Sequence, residues 1–384
     1  MSEERFRISG TLREIAENTG WLFGLRMLRM LFAFFVTAWV ARYLGTARFG
    51  ILQYAVAFVG LFMPLAILGL QTIVVRDIVR EPDARDEILG TTLALRFAGG
   101  IAGCAIAAAA IWIIRPGDPL VRLVTAVTGL TLIFHTTDTF DLWFQSQVQS
   151  KYMVIAKSVS LAVAALLRIG AILTEAPLVV FAAILSVDIA IAGAGLYIAY
   201  RQRGLRVSRW RFSTARAGQL LSQSWMLILT GALSMIYFKI DQVMLGQMAG
   251  DDEVGVYGAA VRLSEVWYFI PLAIATSVFP ALIRSKERGE RIYYARLQQL
   301  YDFLAGLGLL LAVFFTLAAD RVILIVFGSD YAAAGPILAV HIWAGVFIFL
   351  KVALNRWQLN EGYLKFLFWS SALGAAVNVG LNIF

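Results

Sequence analysis

Apolar runs of about 20 residues, separated by short polar stretches, recur along the whole chain, and that spacing is what an α-helix needs to cross a bilayer. Of 384 residues, 60% are hydrophobic and only 15% are charged, against about 25% charged in an ordinary soluble domain. One globular core cannot absorb such an excess. The longest polar stretches, residues 1–20, 76–90, 201–216 and 284–299, are too short to bury cores of their own. The expected fold is therefore an all-α, polytopic membrane protein.

Spans are expected at 21–41, 50–73, 91–114, 119–141, 153–173, 178–200, 222–246, 256–281, 300–318, 336–354 and 366–384, eleven in all. With residues 1–20 in the cytoplasm, 21 Lys and Arg residues fall in inside loops, among them Arg201, Arg203, Arg206, Arg209, Arg211 and Arg216. Only Arg42, Arg48, Arg115, Arg122 and Arg321 fall outside. The positive-inside rule then puts the N-terminus in the cytoplasm. The formal charge of +8 thus reads as topology, and no nucleic-acid partner is expected. Trp21, Trp112 and Trp143 fall near span ends, where an amphipathic ring is favoured. The lone Cys104 allows no intrachain disulfide, and Glu3, Glu4, Arg5 and Arg7 are followed by no short cleavable apolar region. The eleventh span stops at Phe384 with no polar flank. An even count would return the C-terminus to the cytoplasm, so at least one further span is expected.

The segment from Leu44, LGTARFGILQYAVAFVGLFMPLAI, is echoed from Leu245 by LGQMAGDDEVGVYGAAVRLSEVWYFIPLAI. Both carry Leu-Gly, a short hydrophilic turn, Phe49-Gly50 or Val254-Gly255, a Tyr, and Pro-Leu-Ala-Ile at Pro64 or Pro271. The offset of six spans is even, so the halves would share one orientation and be related by an axis along the membrane normal. The expected organisation is a six-helix lobe over 1–200, a cytoplasmic linker over 201–221 and a second lobe over 222–384.

Ionisable groups at membrane depth are costly and face protein or water. The spans carry Arg29, Arg96, Arg168, Lys239, Arg262 and Lys351 against Asp188, Asp241 and Glu265, a net cationic interior suited to an anionic substrate. Arg262 and Glu265 stand at i,i+3 and could instead form a structural pair. Lys239 and Asp241, two apart, point to different sides of their helix. His135, Asp138 and Asp141 climb one stripe of the fourth span, read as a helix-end polar cluster with proton coupling through His135 left open. Convergent ligands for a metal are missing from the pattern, as is a Gly-x-x-x-x-Gly-Lys-Ser/Thr phosphate loop. With two histidines, one cysteine and no long outside loop, no catalytic residue, metal or cofactor is expected. An enzyme such as a glycan ligase or polymerase is disfavoured on the same ground.

Several motifs together resemble the Wzx-type polysaccharide biosynthesis flippases of the multidrug/oligosaccharidyl-lipid/polysaccharide exporter superfamily. They are LGTARFGILQYA, Arg76-Asp77, FDLWFQSQ around Asp141, Trp143, Phe144 and Gln145, and Lys239-Ile240-Asp241-Gln-Val-Met-Leu-Gly followed by Val254-Gly255-Val256-Tyr257-Gly-Ala-Ala. The resemblance implies two six-helix lobes and translocation of an undecaprenyl-diphosphate-linked oligosaccharide from the inner to the outer leaflet of a bacterial inner membrane by alternating access. It further implies Arg29 and Arg262 as cavity cations, Asp241 as a functional seventh-span position, and a polysaccharide polymerase and chain-length machinery as partners. Lys239 completes the expected cations, and Glu265 and Asp188 join Asp241 as candidate counter-ions or coupling groups. A drug or cation antiporter of the same superfamily is the rival, and it would be expected to carry an acidic cavity. The topology is tested by single cysteines replacing Ser208 and Asp252: an impermeant reagent on intact cells should label position 252 and spare 208, and the reverse pattern would invert the orientation.

Overall fold

The computed structural model describes residues 2–149, 151–286, 289–360 and 364–383. Among these, the side chains of residues 2–29, 276, 279–281, 283, 284, 355, 356, 359, 360, 364, 365 and 367 lie outside the description. In chain order the helices are α1 (Ser2–Gly60), α2 (Met63–Ile67), α3 (Gln71–Arg80), α4 (Arg85–Ile114), α5 (Pro119–Phe134), α6 (Thr139–Ser146), α7 (Lys151–Leu173) and α8 (Leu178–Gln202). They continue with α9 (Thr214–Met248), α10 (Asp251–Glu265), α11 (Phe269–Lys286), α12 (Glu290–Val326), α13 (Ala334–His341), α14 (Ala344–Asn360) and α15 (Leu364–Asn382). No strand occurs among the described residues. In hydrocarbon a backbone must satisfy its own polar groups, and a helix does so within one segment.

Nine helical stretches among the described residues are long and apolar enough to cross a membrane, against eleven expected spans. The expected first and second spans are both carried by α1, which turns at Gly45 (φ 71°), a conformation open to glycine at little steric cost. The second expected span is then split, because α1 ends at Gly60 and α2 starts at Met63 with Pro64 in its first turn. The repeat behaves alike: α10 ends at Glu265, a 3-10 turn spans Val266–Tyr268, and α11 starts just before Pro271. In both copies the proline opens a new helical segment, as a residue without an N–H can.

The chain divides into two compact units, a smaller one of residues 1–39 with 259–361 and a larger one of residues 40–258 with 362–384. In the larger unit, Leu70, Ile88, Phe140, Trp143, Phe144, Tyr200 and Leu220 share one core. Trp143 is therefore a core residue, 7% exposed, and not the interfacial ring expected from its place near a span end. Trp112 does remain exposed, with the Arg122 guanidinium 4.2 Å from its ring. The linker after α8 is strapped to this unit. Trp210 packs 5.2 Å from Phe140 and donates from Nε1 to the Tyr200 hydroxyl at 2.9 Å. The Arg211 N–H donates to the Asp86 carbonyl at 3.1 Å, and a Cβ on Gly90 would stand 2.7 Å from the Arg211 nitrogen. Arg216 meets Glu81 at 2.6 Å and holds that carboxyl below the usual carboxylate range. Ser213 caps α9 by accepting from the Arg216 N–H at 3.3 Å. The side chains of Arg201, Arg203, Arg206, Arg209 and Arg211 stay exposed.

In the smaller unit, Leu300 and Leu304 of α12 pack with Phe349 and Ala353 of α14. Gly308 permits their close approach, since a Cβ there would lie 3.2 Å from the Val346 Cα. Phe34 and Phe327 meet edge to face at 6.1 Å. Large apolar side chains such as Ile113, Leu317 and Ile325 are strongly exposed, as lipid-facing residues are.

Trp210→Phe should retain the ring contact and lose the bond to Tyr200, costing about 0.5–1.5 kcal/mol. Trp210→Ala should also lose the aromatic contacts and unfold at a lower temperature than Trp210→Phe. Thermal unfolding of the purified protein in detergent checks that order; equal midpoints for the two variants would refute it.

Candidate functional site

The two copies of the repeat meet within the larger unit, and they meet reciprocally. A Cβ on Gly50 would collide with the Asp251 carbonyl, and one on Gly255 would collide with the Thr46 carbonyl. Thr46 precedes Gly50 by four residues, as Asp251 precedes Gly255. One residue earlier still stand Gly45 and Gly250, with φ of 71° and 99°. A Cβ on Gly258 would lie 3.1 Å from Gln53 Cγ, and these positions also correspond. Such reciprocity is what a local two-fold axis between Gly50 and Gly255 produces.

Polar contacts fasten this junction. The Arg115 guanidinium, on the turn after α4, donates through one nitrogen to both carboxylate oxygens of Asp251 at 2.9 and 3.1 Å and through another to the Gly246 carbonyl. It also lies 4.6 Å from the Tyr54 ring centroid. Thr46 Oγ1 donates to Asp252 at 2.6 Å, and Gln247 donates to the Tyr54 hydroxyl at 2.6 Å. Charge-assisted bonds in a partly buried setting are stronger than neutral ones. The sequence marked Arg115 only as a basic residue in an outside loop, because its partner lies on a helix more than a hundred residues away.

The candidate charges are distributed as follows. Lys239 of α9 runs its stem past the break after Gly60, with Cγ 3.7 Å from where a Gly60 Cβ would be. No ion pair of Lys239 occurs among the described residues. Asp241 accepts from the Tyr257 hydroxyl through Oδ2 and leaves its buried Oδ1 without a partner, so the two neighbours on α9 do not neutralise each other. Tyr257 is a member of the repeat motif and was not marked as a partner of Asp241 by the sequence.

Arg262, on α10, is exposed. It makes no ion pair with Glu265 among the described residues, although Glu265 remains within electrostatic reach. The structural pairing left open by their spacing is therefore not formed. His341 of α13 bonds Ser264, at 3.0 Å. Arg29 lies in α1, and its side chain is outside the described residues.

Asp188 of α8 accepts from Ser160 and lies 3.9 Å from Arg168 of α7. The charges of Arg168 and Asp188, read singly in the sequence, offset each other. Among the described residues no cluster of three His, Cys, Asp or Glu residues is placed to hold a metal.

A disulfide test follows from the junction. With Thr46→Cys and Asp252→Cys combined, the two side chains are close enough to cross-link under mild oxidation. A disulfide should form between the two positions, and failure to cross-link would contradict the contact of Thr46 with Asp252.

The family described as polysaccharide biosynthesis protein matches residues 15–286, and the family described as MatE matches residues 227–384. No curated protein matches the chain. Among solved structures, an inward-facing multidrug resistance MATE family transporter of the MOP superfamily aligns with a TM-score of 0.69 at 15% identity, covering 90% of this chain and 84% of its own. A MATE protein in the bent conformation aligns with a TM-score of 0.52 at 15% identity, covering 94% of this chain and 95% of its own. A eukaryotic MATE transporter aligns with a TM-score of 0.51 at 13% identity, covering 95% of both chains. These likenesses establish the fold that the resemblance implied. The chain belongs to the polysaccharide biosynthesis protein family, and it has the fold of the MATE transporters, with nine helical stretches among the described residues long and apolar enough to cross a membrane.

Proposed function

We propose that the chain carries a polyprenyl-diphosphate-linked oligosaccharide from the inner to the outer leaflet of a bacterial cytoplasmic membrane, by alternating access between lobes 1–200 and 222–384. The observation that carries this reading is that Lys239 and Arg262, on helices long and apolar enough to cross a membrane, form no ion pair among the described residues. A polyprenyl tail can stay in lipid, but a diphosphate and sugars cannot, so the protein has to supply a hydrated, cationic route for the head group alone. Arg262 has the planar fork that grips phosphate, and Lys239 acts as a point charge. Arg29 is proposed as a further substrate-binding cation.

Asp241, with one carboxylate oxygen unpartnered, is proposed as a counter-ion that limits how tightly the diphosphate is held, and Glu265 as a second one near Arg262. Asp188 is proposed to hold Arg168 in place. The N-terminus is proposed to be cytoplasmic, with the exposed arginines of 201–216 facing the inner leaflet. In that orientation the Gly50–Gly255 junction closes the outer end. Partners are proposed to be the polymerase and chain-length machinery that use the flipped unit.

A second reading, export of small molecules coupled to a cation, is favoured by the MatE match over 227–384 and by the MATE structures that align. The cations separate the two, since a lysine and an arginine without an ion pair among the described residues favour an anion over an organic cation.

Replacing Arg29, Lys239 and Arg262 with Gln should reduce glycan export cumulatively at unchanged protein level, since size is nearly preserved and only charge is removed. Arg206→Ala, on the exposed linker, should export normally. Parental export by the triple variant would refute the reading. Arg262→Lys should export less than the parent, because it keeps the charge and loses the fork.

A further inference from the structure

In the smaller unit α11 and α12 pack against each other in opposite directions. Leu282, late in α11, packs with Leu297 early in α12, and Ile274, earlier in α11, packs with Leu300 and Leu304. The two helices leave a groove of about 400 Å³ between them. Leu282 and Leu300 form its buried floor, with Ile274 and Val278 on one wall and Phe303 on the other. Val278 is 39% exposed and Phe303 57% exposed, so the walls stay open.

The groove has a polar end. Arg296 and Gln299 line it together with Phe303, and the positions i, i+3 and i+7 put a cation, an amide and a ring along one stripe of α12. Arg296 is exposed and makes no ion pair among the described residues. At the same end Glu290 and Arg291 offset each other in sign, while Lys286 lies 5.6 Å from the Tyr293 ring centroid. Asp302 is not part of the lining, and Gln298 donates to it at 2.7 Å. The end of the groove is therefore cationic.

Its depth follows from the length of α12. The helix has 37 residues, about 55 Å at 1.5 Å per residue, whereas a hydrocarbon core is only about 30 Å thick. Charged residues stop at Asp302 and resume at Asp320, so hydrocarbon begins near Phe303. Arg296 stands seven residues before it, about 10 Å along the axis. The groove thus runs from the headgroup level to the first part of the acyl region. A sugar would find few polar partners on such walls.

We propose that this groove binds an anionic glycerophospholipid, with the Arg296 guanidinium on the phosphate, Gln299 donating to a phosphate or ester oxygen, and one acyl chain along Val278, Phe303 and Ile274. A planar guanidinium matches two phosphate oxygens at once, and basic pockets between membrane-spanning helices suit anionic headgroups. A zwitterionic lipid brings a positive group of its own to a cationic end, which disfavours it. One guanidinium and one amide match the single charge of a phosphodiester, and a diphosphate carries more charge than they offset. The site does not rest on the exporter function proposed above.

The test uses the purified full-length protein in phosphatidylcholine nanodiscs. The probes are phosphatidylglycerol and phosphatidylcholine, each with a photoactivatable group on one acyl chain. Irradiation and peptide mapping should place phosphatidylglycerol adducts on residues 274–282 and 299–303 at several-fold the yield of phosphatidylcholine adducts. Unlabelled phosphatidylglycerol should compete them away. Arg296→Gln, a change at an exposed side chain, should bring the two yields level, and Arg296→Lys should keep part of the difference. Val278→Trp fills the groove and should lower both yields there with Arg296 intact. Equal yields in the parent, or a preference that survives Arg296→Gln, overturns the proposal, since ordinary bilayer lipid then covers the groove. Displacement of the probe by a polyprenyl diphosphate at lower concentration than by phosphatidylglycerol overturns it too. No reading depends on export, so failure leaves the exporter reading standing.

Discussion

A bilayer offers a backbone no water to bond with, and every feature of this chain follows from meeting that condition or from departing from it at particular places. Helices satisfy it within one segment, so the described residues are helical almost throughout. The departures are the informative positions. The turn at Gly45, the breaks before Pro64 and Pro271 and the 3-10 turn at His135–Asp138 all expose backbone that must be supported by neighbours. Candidate site residues lie there: Lys239 lies against the break after Gly60, and Glu265 precedes the break before Pro271.

The spans were legible because hydrophobicity over about 20 residues is a one-dimensional signal. So was the repeat, and with it the glycines at 50 and 255, because a contact between equivalent positions leaves the same residue types in both copies. Pairing was not legible. Arg168 with Asp188, Arg115 with Asp251 and Lys157 with Asp138 each join different elements of the chain, and no spacing rule connects residues on separate elements. The spacing of Arg262 and Glu265 did suggest a pair, and the structure does not form it: i,i+3 places two side chains on one face, but an exposed guanidinium has water as an alternative partner. Trp143 failed for a related reason. Proximity to a span end allows an interfacial ring, but α6 is short and turns its aromatic residues inward against Tyr200.

Charge sign is what separates the readings of function that the fold leaves open. The family match and the MATE-like fold are compatible with export of a lipid-linked anion or of an organic cation. A charge without an ion pair favours a substrate of opposite sign, and more strongly where screening is weak. Asp241 accepts from Tyr257 and forms no ion pair with Lys239 among the described residues.

The most direct test is competitive binding to the purified protein of a fluorescent polyprenyl diphosphate against a lipophilic cation of similar apolar area. The account predicts that the diphosphate binds more tightly, that its affinity falls as salt rises, and that it falls further when Lys239 and Arg262 are replaced with Gln. Tighter binding of the cation, unchanged by those replacements, would contradict it.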